Sequence, residues 1–193
     1  MKRPQKETGV RKNGQVFGKM DILRVFFDDP ERTFHLREIA RLTGYAPSTL
    51  SKYLTGIVAR GLLHTGHSKG FRVFASNTQS RQYKDAKLFY NIFRLRSSGL
   101  LEFLNETFNH PKAIILFGSF RKSENIPSSD VDIFIETPIK KDVDMSAFED
   151  RLKHKIQLFQ FSRKEIEAMK RNNKELLNNI VNGIVLEGFF EVL

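Results

Sequence analysis

The stretch Ile115-Leu116-Phe117-Gly118-Ser119-Phe120-Arg121, followed after a polar loop by Ser128-Ser129-Asp130-Val131-Asp132-Ile133-Phe134-Ile135, decides how the chain is read. Ala113 to Phe117 is an unbroken apolar run, the pattern of a strand buried on both faces. Val131 to Glu136 reads as a second strand, with Val131, Ile133 and Ile135 alternating against Asp132, Phe134 and Glu136. Gly118 carries no Cβ, so the backbone at that point can come close to a polyanion. Ser119 adds a hydroxyl beside that bare backbone. Asp130 and Asp132 are two residues apart, so on a strand their side chains share one face. Two carboxylates on one face repel unless a cation or base lies between them, and together they suit a hard, oxygen-seeking cation. Arg121 and Lys122, just past the Gly-Ser pair, are placed to neutralise phosphate oxygens.

Working outward toward the C-terminus, Lys155 to Phe161 is a third strand candidate. Helices fit Met145 to Lys153, Ser162 to Asn172 and Lys174 to Asn182, and Gly183 to Leu193 is a closing segment of Val, Leu and Phe. Toward the N-terminus, residues 81–109 have helical period with a weak break at Ser97-Ser98-Gly99, where a hinge is expected. Earlier still, three helices fit: one from Val16 to Asp28, one from Leu36 to Leu42, and one from Pro47 to Arg60. The turn Thr43-Gly44-Tyr45 separates the last two. Leu62–Gly66 and Phe71–Ala75, joined by His67-Ser68-Lys69-Gly70, carry a hairpin signal. On the third helix Leu50, Leu54, Ile57 and Val58 face a core. Ser48, Ser51, Lys52 and Thr55 are left outward, small or basic residues able to approach base edges and phosphates. The hairpin adds Lys69 and Arg72. His35 and His64 lack the spacing of metal ligands.

Two resemblances follow from these residues. Residues 17–76 resemble a winged helix-turn-helix, with Leu36–Leu42 and Pro47–Arg60 as the positioning and recognition helices and the hairpin as the wing. The resemblance implies DNA binding through Ser48, Ser51, Lys52, Thr55, Lys69 and Arg72, although such domains also serve as protein-interaction modules. The strand ending in Gly118-Ser119 and the Ser129-Asp130-x-Asp132 strand opening resemble the polymerase-β-like nucleotidyltransferase superfamily in its minimal form. That likeness implies nucleotide binding at Gly118, Ser119, Arg121 and Ser129. It also implies a catalytic and metal-binding role for Asp130 and Asp132, with Mg²⁺ and a nucleoside triphosphate as cofactor and substrate or ligand. The chain departs from the pattern twice. A second glycine often follows the Gly-Ser pair, and Ser123 stands near there. Active members usually place a third carboxylate on the third strand, where Lys155-Ile156-Gln157-Leu158-Phe159 offers Gln157, which cannot take a proton. Glu149 and Asp150 are substitutes expected to face solvent, and Glu136 lies on the right strand face but too far along it.

The expected fold is thus α+β with an α/β C-terminal half: a winged helix of three helices plus a β-hairpin, then a short mixed sheet flanked by helices. The expected division is a flexible basic arm over 1–15, a winged helix over 16–78, a helical connector over 79–98 and a nucleotidyltransferase-like domain over 99–193. Composition agrees with an anionic partner. The chain of 193 residues carries 32 Lys and Arg against 22 Asp and Glu, for a net charge of +10. Residues 1–80 hold 14 of the basic and 6 of the acidic side chains, so the excess sits beside the expected DNA reader. The absence of Cys excludes disulfides and thiolate chemistry. Apolar runs are far shorter than the roughly 20 residues a bilayer span needs, so a cytoplasmic protein with no membrane partner is expected. Two activities stay open. One is nucleotidyl transfer to a nucleic-acid or protein acceptor. The other is transcription regulation, with a degenerate domain that senses nucleotide or forms a homodimer. Partnership in a two-gene stress module is a third, blander expectation.

Overall fold

The computed structural model describes residues 15–191, with side chains from residue 20. Residues 1–14 of the expected basic arm lie outside the described residues, and Gln15 opens the first helix. Helix α1 (Gln15–Asp28) stops before Pro30, which has no N–H to continue a helical ladder. A short strand β1 (Thr33–His35) leads into α2 (Leu36–Thr43), which Gly44 closes in the left-handed region at φ 73°. Pro47 occupies the first turn of α3 (Pro47–Ala59), where its missing N–H costs nothing.

The hairpin forms from β2 (Leu63–Ser68) and β3 (Phe71–Ser76). Its turn is two residues, Lys69 and Gly70, both with positive φ, so the strands run further than the expected four-residue connection allows. β1 pairs with the other edge of β3, giving an antiparallel sheet in the order β1-β3-β2. The core of this half is Ile22, Phe26, Phe27, Phe34, Ile39, Leu50, Leu54, Ile57 and Phe74.

Helix α4 (Arg81–Ser97) does more than connect. Tyr83 and Tyr90 are buried in the N-terminal core and Leu95 in the C-terminal one. The break before α5 (Leu100–Thr107) is also packed: Ser98 is buried, its hydroxyl donates to the Leu95 carbonyl, and Arg151 donates to the Ser98 carbonyl. The expected hinge is therefore a filled turn.

The C-terminal sheet contains β4 (Ala113–Phe117), β5 (Val131–Glu136), β6 (Ile156–Phe161) and β7 (Ile184–Gly188) in the order β6-β5-β4-β7. β5 is antiparallel to β4 and parallel to β6, and β7 runs antiparallel to β4, so the sheet is mixed. The closing segment supplies that fourth strand. One face, with Ile114, Leu116, Ile133 and Ile135, packs against α5, Leu95 and Leu152 of α7 (Ser146–Leu152). The other, with Ile115, Phe117 and Phe134, is covered by α8 (Arg163–Asn172) and α9 (Lys174–Val181) through Ile166, Met169, Leu177 and Ile180. Helices on both faces explain why Phe134 and Glu136 are buried along with Val131, Ile133 and Ile135. Of β5, Asp132 alone is half-exposed, near the end of the face that α8 and α9 cover.

Candidate functional site

Strand β4 ends at Phe117, directly opposite Asp132 on β5, and the chain turns there into a one-turn helix, α6 (Gly118–Lys122). Gly118 is held at φ +67°, and a Cβ on it would stand 2.0 Å from Asp132 Oδ2. The turn thus presses its backbone onto the carboxylate, which no larger residue allows. At five residues α6 has little dipole, so what it offers an anion is its first N–H groups and the Ser119 hydroxyl. Ser123, where the family pattern often has a second glycine, caps α6 in the left-handed region at φ 61°, a conformation in which glycine would be unstrained.

Asp130 immediately precedes β5, and Asp132 is its second residue. Burial and the neighbouring Asp130 charge both push the Asp132 carboxyl above the usual carboxylate range. On the other side, the parallel register sets Gln157 of β6 beside Asp132. The Gln157 amide donates a 2.6 Å hydrogen bond to Asp130 Oδ2. Gln157, read from the sequence as standing where a third acid is expected, thus meets Asp130 as a neutral donor.

Of the substitutes for that acid, Glu149 and Glu136 are engaged elsewhere, while Asp150 is exposed on α7. Glu149, expected to face solvent, accepts from Lys155 Nζ at 2.6 Å and from the Ile156 N–H at 3.0 Å, tying α7 to the start of β6; the Lys155 bond is the main reason its carboxyl titrates low. Glu136 lies at the far end of β5, buried, with Arg163 Nη1 at 3.9 Å. Among the described residues no group of three or more His, Cys, Asp and Glu is placed to hold a metal ion. Two carboxylates nevertheless fit Mg²⁺, which commonly takes one or two from the protein and completes its shell with phosphate oxygens and water. The crowding at Asp132 is what such a cation would relieve.

The remaining predicted residues divide. Ser129 holds the loop before Asp130: its hydroxyl accepts from the Ile126 N–H at 2.9 Å, and its carbonyl accepts from His154 Nδ1 at 2.8 Å. Arg121 turns to the other side, with Nε donating to the Asn182 carbonyl at the end of α9. Lys122 is exposed. Sequence reasoning missed His154, which is nearly buried, packs edge-on against Phe120 and titrates low chiefly because of that burial. Its only sequence signal is an isolated His next to the third strand. Beside Asp130 a cavity of about 400 Å³ opens, lined by Ser128, Asp130, Asp150, Lys153, His154 and Lys155 among others.

In the N-terminal half, Ser48, Lys52 and Thr55 are exposed on α3 and Ser51 is half-buried, with the Thr55 hydroxyl donating to the Ser51 carbonyl at 3.0 Å. Lys69 sits in the hairpin turn, and Arg72 is exposed on β3, its Nε donating to Thr65 Oγ1 at 3.0 Å. Sequence reasoning missed the groove of about 410 Å³ where Arg72 and the exposed Phe71 meet His35, Leu36 and Arg37, because β1 creates it through a pairing distant in sequence.

Three helices with a small antiparallel sheet, joined to a mixed sheet carrying a Gly-Ser turn against paired aspartates, define a helix-turn-helix protein with a nucleotidyltransferase fold. Comparison with known families agrees: residues 97–186 match the nucleotidyltransferase domain and residues 20–66 the IclR helix-turn-helix domain. The chain therefore joins an IclR-type helix-turn-helix domain to a nucleotidyltransferase domain. No curated protein and no solved structure matches it. No helix among the described residues is long and apolar enough to cross a membrane.

Proposed function

We propose that the protein binds DNA through its helix-turn-helix half and a nucleoside triphosphate with Mg²⁺ at Gly118, Ser119, Asp130 and Asp132, passing a nucleotidyl group to a nucleic-acid or protein acceptor. The observation that carries this reading is the contact of Gly118 with Asp132, which brings an anion-accepting backbone and a cation-holding carboxylate together. Asp130 and Asp132 would hold the cation, which would supply charge neutralisation. Gly118 and Ser119 orient the triphosphate by backbone N–H and hydroxyl donation. The acceptor oxygen then bonds to the α-phosphorus as the bond toward the β-phosphate breaks and pyrophosphate leaves. Gln157 cannot take the acceptor's proton, which falls to the aspartate pair or to solvent. Ser48, Ser51, Lys52, Thr55, Lys69 and Arg72 would meet the duplex, the lysines and Arg72 at phosphates and the small hydroxyls at base edges.

The Gln157 amide on Asp130 favours one second reading, a regulator whose domain binds nucleotide without turnover. The two are separated by incubating the protein with α-labelled nucleoside triphosphates and Mg²⁺, with and without duplex DNA. Label transfer with pyrophosphate release, lost in Asp130→Ala, supports transfer. Nucleotide binding with no label transferred supports the regulator.

A further inference from the structure

Lys87 and Asn91 lie one turn apart on α4 and are fully buried, at 0% and 1% exposure. Lys87 Nζ donates to the Asn125 carbonyl, and among the described residues no carboxylate is within ion-pair distance of it. Asn91 Nδ2 donates to the Phe120 carbonyl and to Asn125 Oδ1, both at 2.9 Å, while Asn91 Oδ1 is buried with no hydrogen-bond partner. The Ser123 hydroxyl closes the seam by donating to the Lys84 carbonyl at 2.7 Å. Burying an ammonium and an amide here is poorer for stability than burying leucine. What these groups do is clamp the turn that carries Gly118 and Ser119. The same helix is clamped to the N-terminal half by two tyrosines, one a turn before Lys87 and one between Lys87 and Asn91: the Tyr83 hydroxyl donates to the Phe26 carbonyl at 3.0 Å and the Tyr90 hydroxyl to Asp28 Oδ1 at 2.8 Å, at the end of α1. α1 in turn packs on α2 and on β3 of the wing.

We infer that Lys87 and Asn91 are positioning residues for the Gly118–Lys122 turn, and that through α4 a triphosphate held on that turn changes the affinity of the helix-turn-helix half for DNA. This rests on the nucleotide-binding reading above and adds its regulation. Linkage makes the effect reciprocal: DNA changes nucleotide affinity by the same factor. The seam is a rigid path, because any movement of the turn that keeps these bonds must carry α4, and α4 cannot move without α1.

The test uses the intact protein, a fluorescein-labelled random-sequence duplex of 30 base pairs, and each of the four common nucleoside triphosphates with Mg²⁺. Anisotropy is expected to show duplex affinity changing about fivefold or more at saturating nucleotide. In Lys87→Met and Asn91→Leu, each read at a nucleotide concentration that saturates that variant, the change in duplex affinity falls to less than about twofold. Equal duplex affinity with and without bound nucleotide in the unsubstituted protein overturns the inference and leaves the nucleotide-binding reading intact. Failure of every nucleotide to bind overturns both. Should the variants melt out, amide exchange in the unsubstituted protein decides: slowed exchange over residues 118–125 on adding duplex supports the coupling, and unchanged exchange overturns it.

Discussion

A glycine whose missing methyl would stand 2.0 Å from a carboxylate oxygen cannot be exchanged quietly. In Gly118→Ala the left-handed backbone costs about 1–2 kcal/mol by itself, and the new Cβ must also drive Asp132 off its site. Calorimetry should find Mg²⁺-nucleotide binding lost, together with a lower melting temperature; a variant that binds as before would refute the packing of turn on acid. Lys87 allows a pH prediction. Burial pulls its ammonium down to about 8 from an ordinary 10.5, so between those values the unfolded chain holds a proton that the folded chain has released. Stability should therefore rise as pH goes from 8 toward 10, before the tyrosines begin to ionise in the unfolded state. Urea midpoints measured across that window check it, and in Lys87→Met the rise should shrink. Gly118, Ser119, Asp130, Asp132 and Gln157 are legible in the sequence because each is an odd residue between two apolar runs. Lys87, Asn91 and His154 are not, because a Lys or Asn in a helical pattern reads as a solvated position until its partner from elsewhere in the chain is known.

At the scale of elements, the parallel pairing of β5 and β6 is what brings Gln157 to Asp130. A third carboxylate at that register would repel the pair without a cation and strengthen the site with one. Gln157→Asp should melt at lower temperature than the unsubstituted protein in chelator, and should gain several degrees more on adding Mg²⁺. Scanning fluorimetry reads both, and an equal response to Mg²⁺ in the two proteins would place the cation elsewhere. Elements with strong local patterns, such as the run Ala113–Phe117 or the Pro47 helix start, are readable from the chain because period and caps are local signals. β1 and β7 are not: a three-residue strand and a Gly-flanked tail acquire their identity only by pairing with β3 and β4. The burial of Phe134 has the same origin, since α8 and α9 arrive from later in the chain to cover a face that alternation alone leaves open.

Taken whole, the molecule carries its positive excess in the half that matches a helix-turn-helix domain and its paired acids in the half that matches a nucleotidyltransferase domain, with one helix, α4, contributing buried side chains to both cores. Two domains are visible in the sequence as a change in charge and pattern. Their joint packing is not, because it depends on which face of α4 each core takes. The most direct test of the account is calorimetric titration of nucleoside triphosphate into the intact protein with Mg²⁺ and with chelator, repeated for Asp130→Ala and Asp132→Ala. The account predicts binding that requires Mg²⁺ and disappears in both variants. Binding that persists unchanged in either variant, or none in the unsubstituted protein, would contradict it.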